Sequence, residues 1–171
     1  MAAPPVSSPR TPSSRSTNDR SAARLATVQA LYQTDATDAS VDQIIKDFIS
    51  GRIGGIAIVD DEDTEKESIV KLTEPDTELF VALMRAVQER GEDIDNMIKG
   101  SVSAEWPWER LEMTLRAVLR AGSAELLTQS TIPPKVSVAE FVDVAHAFYA
   151  GPEPGMANAV LDRIAKALGR E

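Results

Sequence analysis

The feature that most constrains the fold is a run of apolar residues at helical spacing between Trp106 and Thr128. The residues that share one face are Leu111, Leu115, Val118, Leu119, Gly122 and Leu126. A stripe with this period favours an amphipathic helix whose apolar side is buried. We therefore expect one helix over Trp106–Thr128 at the centre of the C-terminal half.

The same period recurs along the chain and predicts an all-α fold. The other expected helices run from about Asp19 to Thr34 with Thr17 or Asn18 as N-cap, from behind Ser40 to Gly51, from Pro75 to Gly91, over 94–98, from the prolines at 133–134 to Phe148, and from Met156 to Leu168. With no obligatory strand, the class is a bundle of about seven helices.

Two segments interrupt this pattern. The first 17 residues are rich in proline and serine and offer almost nothing to bury, so we expect a disordered tail over 1–17. Residues 51–73 contain GRIGG, the short run IAIV and the acidic run DDEDTEKE, which together favour an inserted surface loop. The remainder, 18–171, is expected to be a single helical domain.

Composition argues against catalysis, metal binding and a membrane location. The chain has no cysteine and one histidine, His146, which excludes thiol chemistry and the usual zinc sites. The glycines at 51–55 lack the following Lys-Ser/Thr of a phosphate loop, and Asp60 to Glu67 lacks the glycine and closing glutamate of a calcium loop. No apolar stretch is long enough to span a bilayer, and the N-terminus is not a signal peptide. We expect a cytoplasmic protein with no cofactor and a solvated or core-edge His146.

Charge is distributed unevenly and indicates two kinds of partner. The formal net charge is −9, yet residues 1–24 carry four arginines against Asp19 alone. A basic arm on an acidic body suits a polyanion at one place and a basic protein at another. Arg20, Arg24 and Tyr32 lie on one predicted helix and would suit single-stranded RNA, since arginine contacts phosphates and tyrosine stacks on bases.

Two further features are expected to have structural roles. Trp106 and Trp108 flank a proline at a predicted helix start, where they could stack on a base but more often fix the helix to the core. Asn158 and Asp162 lie one turn apart in the last helix. We expect them to form a buried polar brace, since buried polar groups are usually hydrogen-bonded internally.

Three sequence blocks resemble the bacterial transcription antitermination factor NusB family. The first is RSAARLATVQALYQTD at 20–35. The second is WPWERLEMTLRAVLRAGSAEL at 106–126, and the third spans 132–166 and includes Asn158, Leu161 and Asp162. The blocks occur in the order and spacing of that family and cover most of the chain outside 36–105.

The resemblance implies two three-helix subdomains, 18–103 and 104–171, and no enzymatic activity. Members of the family bind the boxA element of ribosomal-operon RNA together with the ribosomal protein NusE, and help RNA polymerase read through terminators. The RNA contacts it implies here are Arg20, Arg24, Gln29, Tyr32, Phe148, Glu153 and Met156. The implied NusE surface lies around Glu109, Arg116 and Arg120.

The chain departs from the family pattern at several of these positions. Residues 21–23 are Ser-Ala-Ala where the family often has adjacent arginines, so we expect weak RNA binding without NusE. The tail residues Arg10 and Arg15 could compensate only if the tail orders on binding. Leu115 replaces a common acid, and Met156 stands where an aromatic residue is common.

Two alternatives remain. A homodimer that buries the RNA surface would serve as a storage or regulated form and act as a protein-interaction module. The same helical domain also occurs as the appendage of RNA cytosine methyltransferases, but the sequence shows no cofactor-binding strand pattern, which argues against that alternative.

Overall fold

A computed structural model describes residues 12–51 and 76–170, with side chains from Asn18 onward. The described part contains six α-helices, one 3-10 turn and no strand, which confirms the all-α class. The helices are α1 (Pro12–Ala36), α2 (Val41–Ile49), α3 (Thr77–Lys99), α4 (Met113–Thr128), α5 (Pro134–Phe148) and α6 (Glu153–Ala167), and the 3-10 turn is Trp108–Arg110. Within these residues, no helix combines the length and apolar character needed to cross a membrane.

Helix α4 is the centre of the bundle and contacts α1, α3, α5 and α6. Every residue from Ala117 to Leu126 is buried except Arg120. A Cβ added at Gly122 would lie 2.9 Å from both terminal carbons of Leu161, so the glycine allows α6 to approach closely. The central helix expected from the apolar stripe is therefore present, with its neighbours on all sides.

Helix α1 begins earlier than expected. It starts at Pro12, a residue type favoured at the first helical position because its missing N–H would have no partner there. The prediction of a start near Asp19 with a cap at Thr17 or Asn18 is wrong. Residues 1–11 of the expected tail, with Arg10, lie outside the described residues.

Helix α2 has the predicted boundaries. The Ser40 side chain accepts a hydrogen bond from the Gln43 backbone N–H at 3.1 Å, which caps the first turn. The helix is followed by Gly51 at φ 83°, a left-handed conformation that favours glycine. Phe48 stacks on Phe80 of α3 with ring centroids 3.6 Å apart, which joins the two helices. Beyond Gly51, the predicted insertion lies outside the described residues.

Helix α3 is one continuous helix where the sequence predicts two, one ending at Gly91 and one over 94–98. Asp76 caps it by accepting from the Leu79 backbone N–H at 3.0 Å, so the start predicted at Pro75 is wrong. Gly91 does not end the helix. The chain only kinks at Arg90, whose side chain pairs with Asp93 at 2.9 Å, and the helix continues to bury Ile94 and Ile98.

Trp106 does not begin the central helix. Pro107 and Leu111 have extended backbones on either side of the 3-10 turn, and α4 begins only at Met113. Leu111 is buried, while Trp106 and Trp108 are partly buried against the core. The tryptophans pack on the core as expected, but they do so at the 3-10 turn and not at the start of α4.

Helices α5 and α6 follow the predicted pattern and pack on one another. The Arg170 guanidinium donates to the backbone carbonyls of Leu126 and Ile132, each at 2.7 Å, and so ties the end of the chain to the α4–α5 connection. One connected core joins residues of all six helices. The division into subdomains at 103/104 stays a prediction.

Truncation of Leu119 tests this core. Its side chain is 0% exposed in the middle of α4, and Leu119→Ala should reduce the free energy of unfolding by about 2–5 kcal/mol. Urea unfolding measures the change, with Val136→Ala as an exposed control that should cost little. A Leu119→Ala variant as stable as the control would contradict the central position of α4.

Candidate nucleic-acid interface

Arg24 does not lie on the solvated side of α1, where we expected it. Its residue surface is 1% exposed, and it lies among buried alanines of α1. The Nε atom donates to Glu125 Oε1 at 2.7 Å, and Nη1 lies 3.5 Å from Glu140 Oε2. The prediction that Arg24 is solvated is therefore wrong, because its guanidinium neutralises the buried Glu125 carboxylate and approaches the partly buried Glu140.

Ser21 extends this cluster by one helical turn. Its hydroxyl donates to Glu140 Oε2 at 2.7 Å. Beyond it, Ser21 and Leu25 line a groove of about 250 Å³ against α5, with Glu140, Asp143, Val144 and Ala147 on the other side. Arg24 pairs with Glu125 and Asp35 pairs with Arg120, so α1 runs opposite to α4. Phe141 lies near Gly122 and Tyr149 lies near Glu112, so α5 also runs opposite to α4 and in the same general direction as α1. The groove between them is acidic and does not attract phosphates.

One end of this groove carries exposed aromatic side chains. Tyr32 is 42% exposed and Phe148 is 43% exposed, and Gln29 is exposed on α1 between the groove and Tyr32. These three predicted RNA contacts are accessible.

Met113 belongs to the same end of the bundle and was missed by sequence reasoning. It is 39% exposed at the first turn of α4. Its neighbours Glu112 and Thr114 both interact with Tyr149, the residue after Phe148. We call Gln29, Tyr32, Met113 and Phe148 the end surface. The sequence pattern predicts a helix start at Trp106, which puts Met113 inside the helix and hides its exposed position at the first turn of α4.

Arg20 is exposed but lies apart from the end surface. It lines a polar cavity of about 310 Å³ together with Asp76, Glu78 and the α4–α5 connection. Along the helix it is 12 residues from Tyr32, which corresponds to about 18 Å. The structure therefore does not bring Arg20 together with the aromatic contacts.

Two predicted contacts near the start of α6 are only partly accessible. Met156 is 7% exposed and belongs to the core, so its side chain is not accessible to RNA in this structure. A methionine fits the apolar side of α6 better than its surface. Glu153 is half-buried, and its Oε2 atom would lie 2.9 Å from a Cβ added at Gly151.

Of the residues predicted to contact a protein partner, some are exposed and others are engaged inside the protein. Arg120 binds both oxygens of Asp95 and also pairs with Asp35 at 2.6 Å. Burial alone would lower its pKa, but the two aspartates raise it above the ordinary value. Arg120 is therefore an internal brace between α1, α3 and α4, and Glu109 remains exposed.

Arg116 is also directed inward. Its Nη2 donates to the Trp108 carbonyl at 2.7 Å, and its guanidinium lies 4.6 Å from the centre of the Trp108 ring. Arg120 and Lys99 approach the same ring at 5.2 and 5.6 Å. Such cation–π contacts hold the 3-10 turn against α4. Arg116 and Arg120 thus support the surface that carries Glu109 instead of forming it.

The structure also shows whether four other residues singled out in the sequence are buried or exposed. Asn158 and Asp162 are exposed beside a groove of about 490 Å³, and Asp162 pairs with Lys166 at 3.1 Å, so the expected buried brace is wrong. His146 is exposed, in agreement with its solvated interpretation. Leu115 is buried, as its apolar character requires. Across 12–51 and 76–170, no three His, Asp or Glu side chains are grouped as a metal site would need.

Comparison with known proteins identifies the family. The NusB family model matches residues 21–166. The chain belongs to the NusB family. The transcription antitermination protein NusB of Rhodospirillum rubrum is 52% identical over 98% of this chain and 93% of its own length. That of Agrobacterium fabrum is 37% identical over 95% of this chain and 93% of its own.

Solved structures agree with this membership of the NusB family. Thermotoga maritima NusB has a TM-score of 0.62 and 27% identity, and the match covers 86% of this chain and 90% of that one. A structure of the antitermination factors NusB and NusE in complex with dsRNA has a TM-score of 0.60, with 87% and 97% covered. At 21% identity, the second match shows the fold alone.

The environment of Tyr149 gives a prediction for this end of the molecule. Burial raises the pKa of Tyr149, and the Glu112 carboxylate raises it further, although the buried hydroxyl makes no well-aligned hydrogen bond among the described residues. The folded state therefore holds this proton more tightly than the unfolded state. The resulting contribution to stability is complete below about pH 10, the ordinary tyrosine pKa, and is lost as the pH rises towards the raised value.

The measurement is tyrosinate absorbance, read immediately after a jump to high pH. The chain has two tyrosines. The folded protein should ionise one phenol fewer than the urea-unfolded protein up to about pH 11, and Tyr149→Phe should remove this difference. Equal ionisation in both states would show that Tyr149 is not protected.

Proposed function

We propose that this chain is an RNA-binding transcription antitermination factor that binds boxA RNA of ribosomal RNA operons together with NusE. In this role it promotes read-through by RNA polymerase in the cytoplasm and acts by binding, without catalysis or a cofactor. The observation that carries the proposal is the family match over 21–166, supported by antitermination proteins as relatives of up to 52% identity. The solved assembly of NusB, NusE and RNA with this fold supports the partners.

The end surface supplies the RNA contacts in this proposal. Exposed Tyr32 and Phe148 can stack on unpaired bases, the exposed amide of Gln29 can hydrogen-bond to a base edge, and Met113 extends the apolar contact. Glu140 and Asp143 lie close to this surface. The proposed recognition therefore depends on stacking more than on phosphate neutralisation.

NusE supplies the positive charge in this proposal. Outside residues 1–24, acidic residues outnumber basic residues on this chain, and a ribosomal protein that contacts RNA is expected to be basic. We place NusE against the surface of Glu109, which Arg116 and Arg120 support through Trp108. A docked basic partner adds phosphate contacts beside the aromatic residues.

Titration of labelled boxA RNA tests the assembly. We expect weak binding by this chain alone, weak binding by NusE alone, and binding at least tenfold tighter by the mixture, because the two proteins form one continuous RNA surface. A scrambled RNA of equal length is the control, and RNA should tighten the protein pair by the same factor. Equal affinities for the mixture and its better component would overturn the proposal. A stable homodimer that refuses NusE would instead favour the alternative in which the RNA surface is buried.

Substitution of the aromatic residues tests the end surface. Tyr32→Ala and Phe148→Ala should each weaken boxA binding by the mixture by about 1–3 kcal/mol, the usual value for loss of base stacking. Both side chains are more than a third exposed, so the fold should stay intact. Val136→Ala is the matched control, since Val136 is 43% exposed near the other end of α5. Wild-type affinity in both aromatic variants would remove the end surface from the RNA site.

A further inference from the structure

The charged cluster around Arg24 is unusual because its arginine and one of its glutamates are almost completely buried. Arg24 is 1% exposed and Glu125 is 0% exposed, whereas arginine and glutamate are seldom fully buried. Arg24 Nη2 and Glu125 Oε2 have no hydrogen-bond partner among the described residues. Removing such charges from water costs several kcal/mol for each ion, so the pair is a poor source of stability compared with apolar packing.

The surroundings of the cluster suggest what it contributes instead. Helices α1 and α4 contact one another, and both bury small side chains, with buried alanines at positions 23, 26 and 30 of α1 and 117, 121 and 124 of α4. Alanines interlock weakly, so two such helices can slide with little steric resistance. Directional bonds resist sliding, because a shift of one residue, about 1.5 Å, would break a short charged hydrogen bond.

The cluster joins three helices at one level. Arg24 of α1 binds Glu125 of α4 at 2.7 Å and approaches Glu140 of α5 at 3.5 Å, and Ser21 donates to the same Glu140 oxygen at 2.7 Å. Tyr32 lies eight residues after Arg24, and Phe148 lies eight residues after Glu140. Both intervals correspond to about 12 Å along a helix. Because α1 and α5 run in the same general direction, fixing Arg24 beside Glu140 also fixes the position of Tyr32 relative to Phe148.

We propose that Arg24 is a positioning residue, which uses its charge inside the protein to set the register of α1 against α4 and α5 and so aligns Tyr32 with Phe148 for RNA. It makes no contact with a phosphate. This inference rests on the proposed function and adds to it that one arginine of the RNA-binding sequence block acts through the position of its helix. Arg20, one turn earlier, is exposed and can meet phosphate.

The test compares four variants of the full chain: Arg24→Met, Glu125→Met, the double variant of both, and Arg20→Met. Each is measured by urea unfolding and by boxA titration with NusE at several salt concentrations. The slope of log affinity against log salt counts phosphate contacts, at about −0.7 for each contact on single strands. A structural change alone does not remove such a contact, so the slope separates positioning from direct binding.

We expect each single change at the buried pair to lower stability and to weaken RNA binding at least tenfold, since it leaves one charge buried without its partner. The double variant should recover stability and return RNA affinity to within about threefold of wild type. Its salt slope should equal the wild-type slope, whereas Arg20→Met should make the slope less negative. If the single variants do not fold, the double variant alone decides between the two roles.

A double variant that folds with wild-type stability, binds RNA at least tenfold more weakly and has a slope less negative by about 0.7 would overturn the proposal, because Arg24 would then contact a phosphate. A double variant that does not fold would also contradict it, since apolar packing should replace a pure positioning pair. Absence of RNA binding by the wild-type chain with NusE would instead overturn the proposed function. The two failures are therefore distinguishable.

Discussion

The burial of Glu125 is the constraint on which the arrangement of the helices depends. This carboxylate lies in the most enclosed part of α4 and is 0% exposed, where an unpaired charge would be strongly unfavourable. Arg24 pairs with one of its oxygens at 2.7 Å, so α1 must cross α4 at this level. The same guanidinium approaches Glu140, which brings α5 to the other side of α1. The buried Glu125 carboxylate of α4 thus fixes, through Arg24, the positions of α1 and α5.

The helices were predictable from sequence because most of them show a clean apolar period. The boundaries failed where a local signal competed with packing. Gly91 weakens a helix, yet burial of Ile94 and Ile98 keeps α3 continuous through a kink. The sequence predicts a helix start around Pro107, but the extended backbones of Pro107 and Leu111 delay α4 to Met113. Tertiary contacts determine both the continuation of α3 and the start of α4, and local helix propensity does not predict those contacts.

The candidate site was predictable only in part. The family resemblance implies RNA contacts at Tyr32, Gln29 and Phe148, and the structure leaves these side chains accessible. The resemblance could not separate exposed from buried arginines. A signal for Arg24 was present, because Glu125 lies within an almost continuous run of small and apolar residues. A helix that is apolar on all sides is buried, and a carboxylate inside it needs a cation. The identity of that cation depends on helix packing and could not be read from spacing along the chain.

The distribution of charge explains why such a surface would work with a partner. Arg24 and Arg120 are engaged by internal carboxylates, Arg116 lies over Trp108, and the groove beside the end surface carries Glu140 and Asp143. The chain can therefore present aromatic groups to bases while offering few cations to phosphates. Stacking tolerates any base and gives modest affinity by itself. A basic partner that adds phosphate contacts makes RNA binding depend on assembly, and by reciprocity the RNA then stabilises the assembly to the same extent.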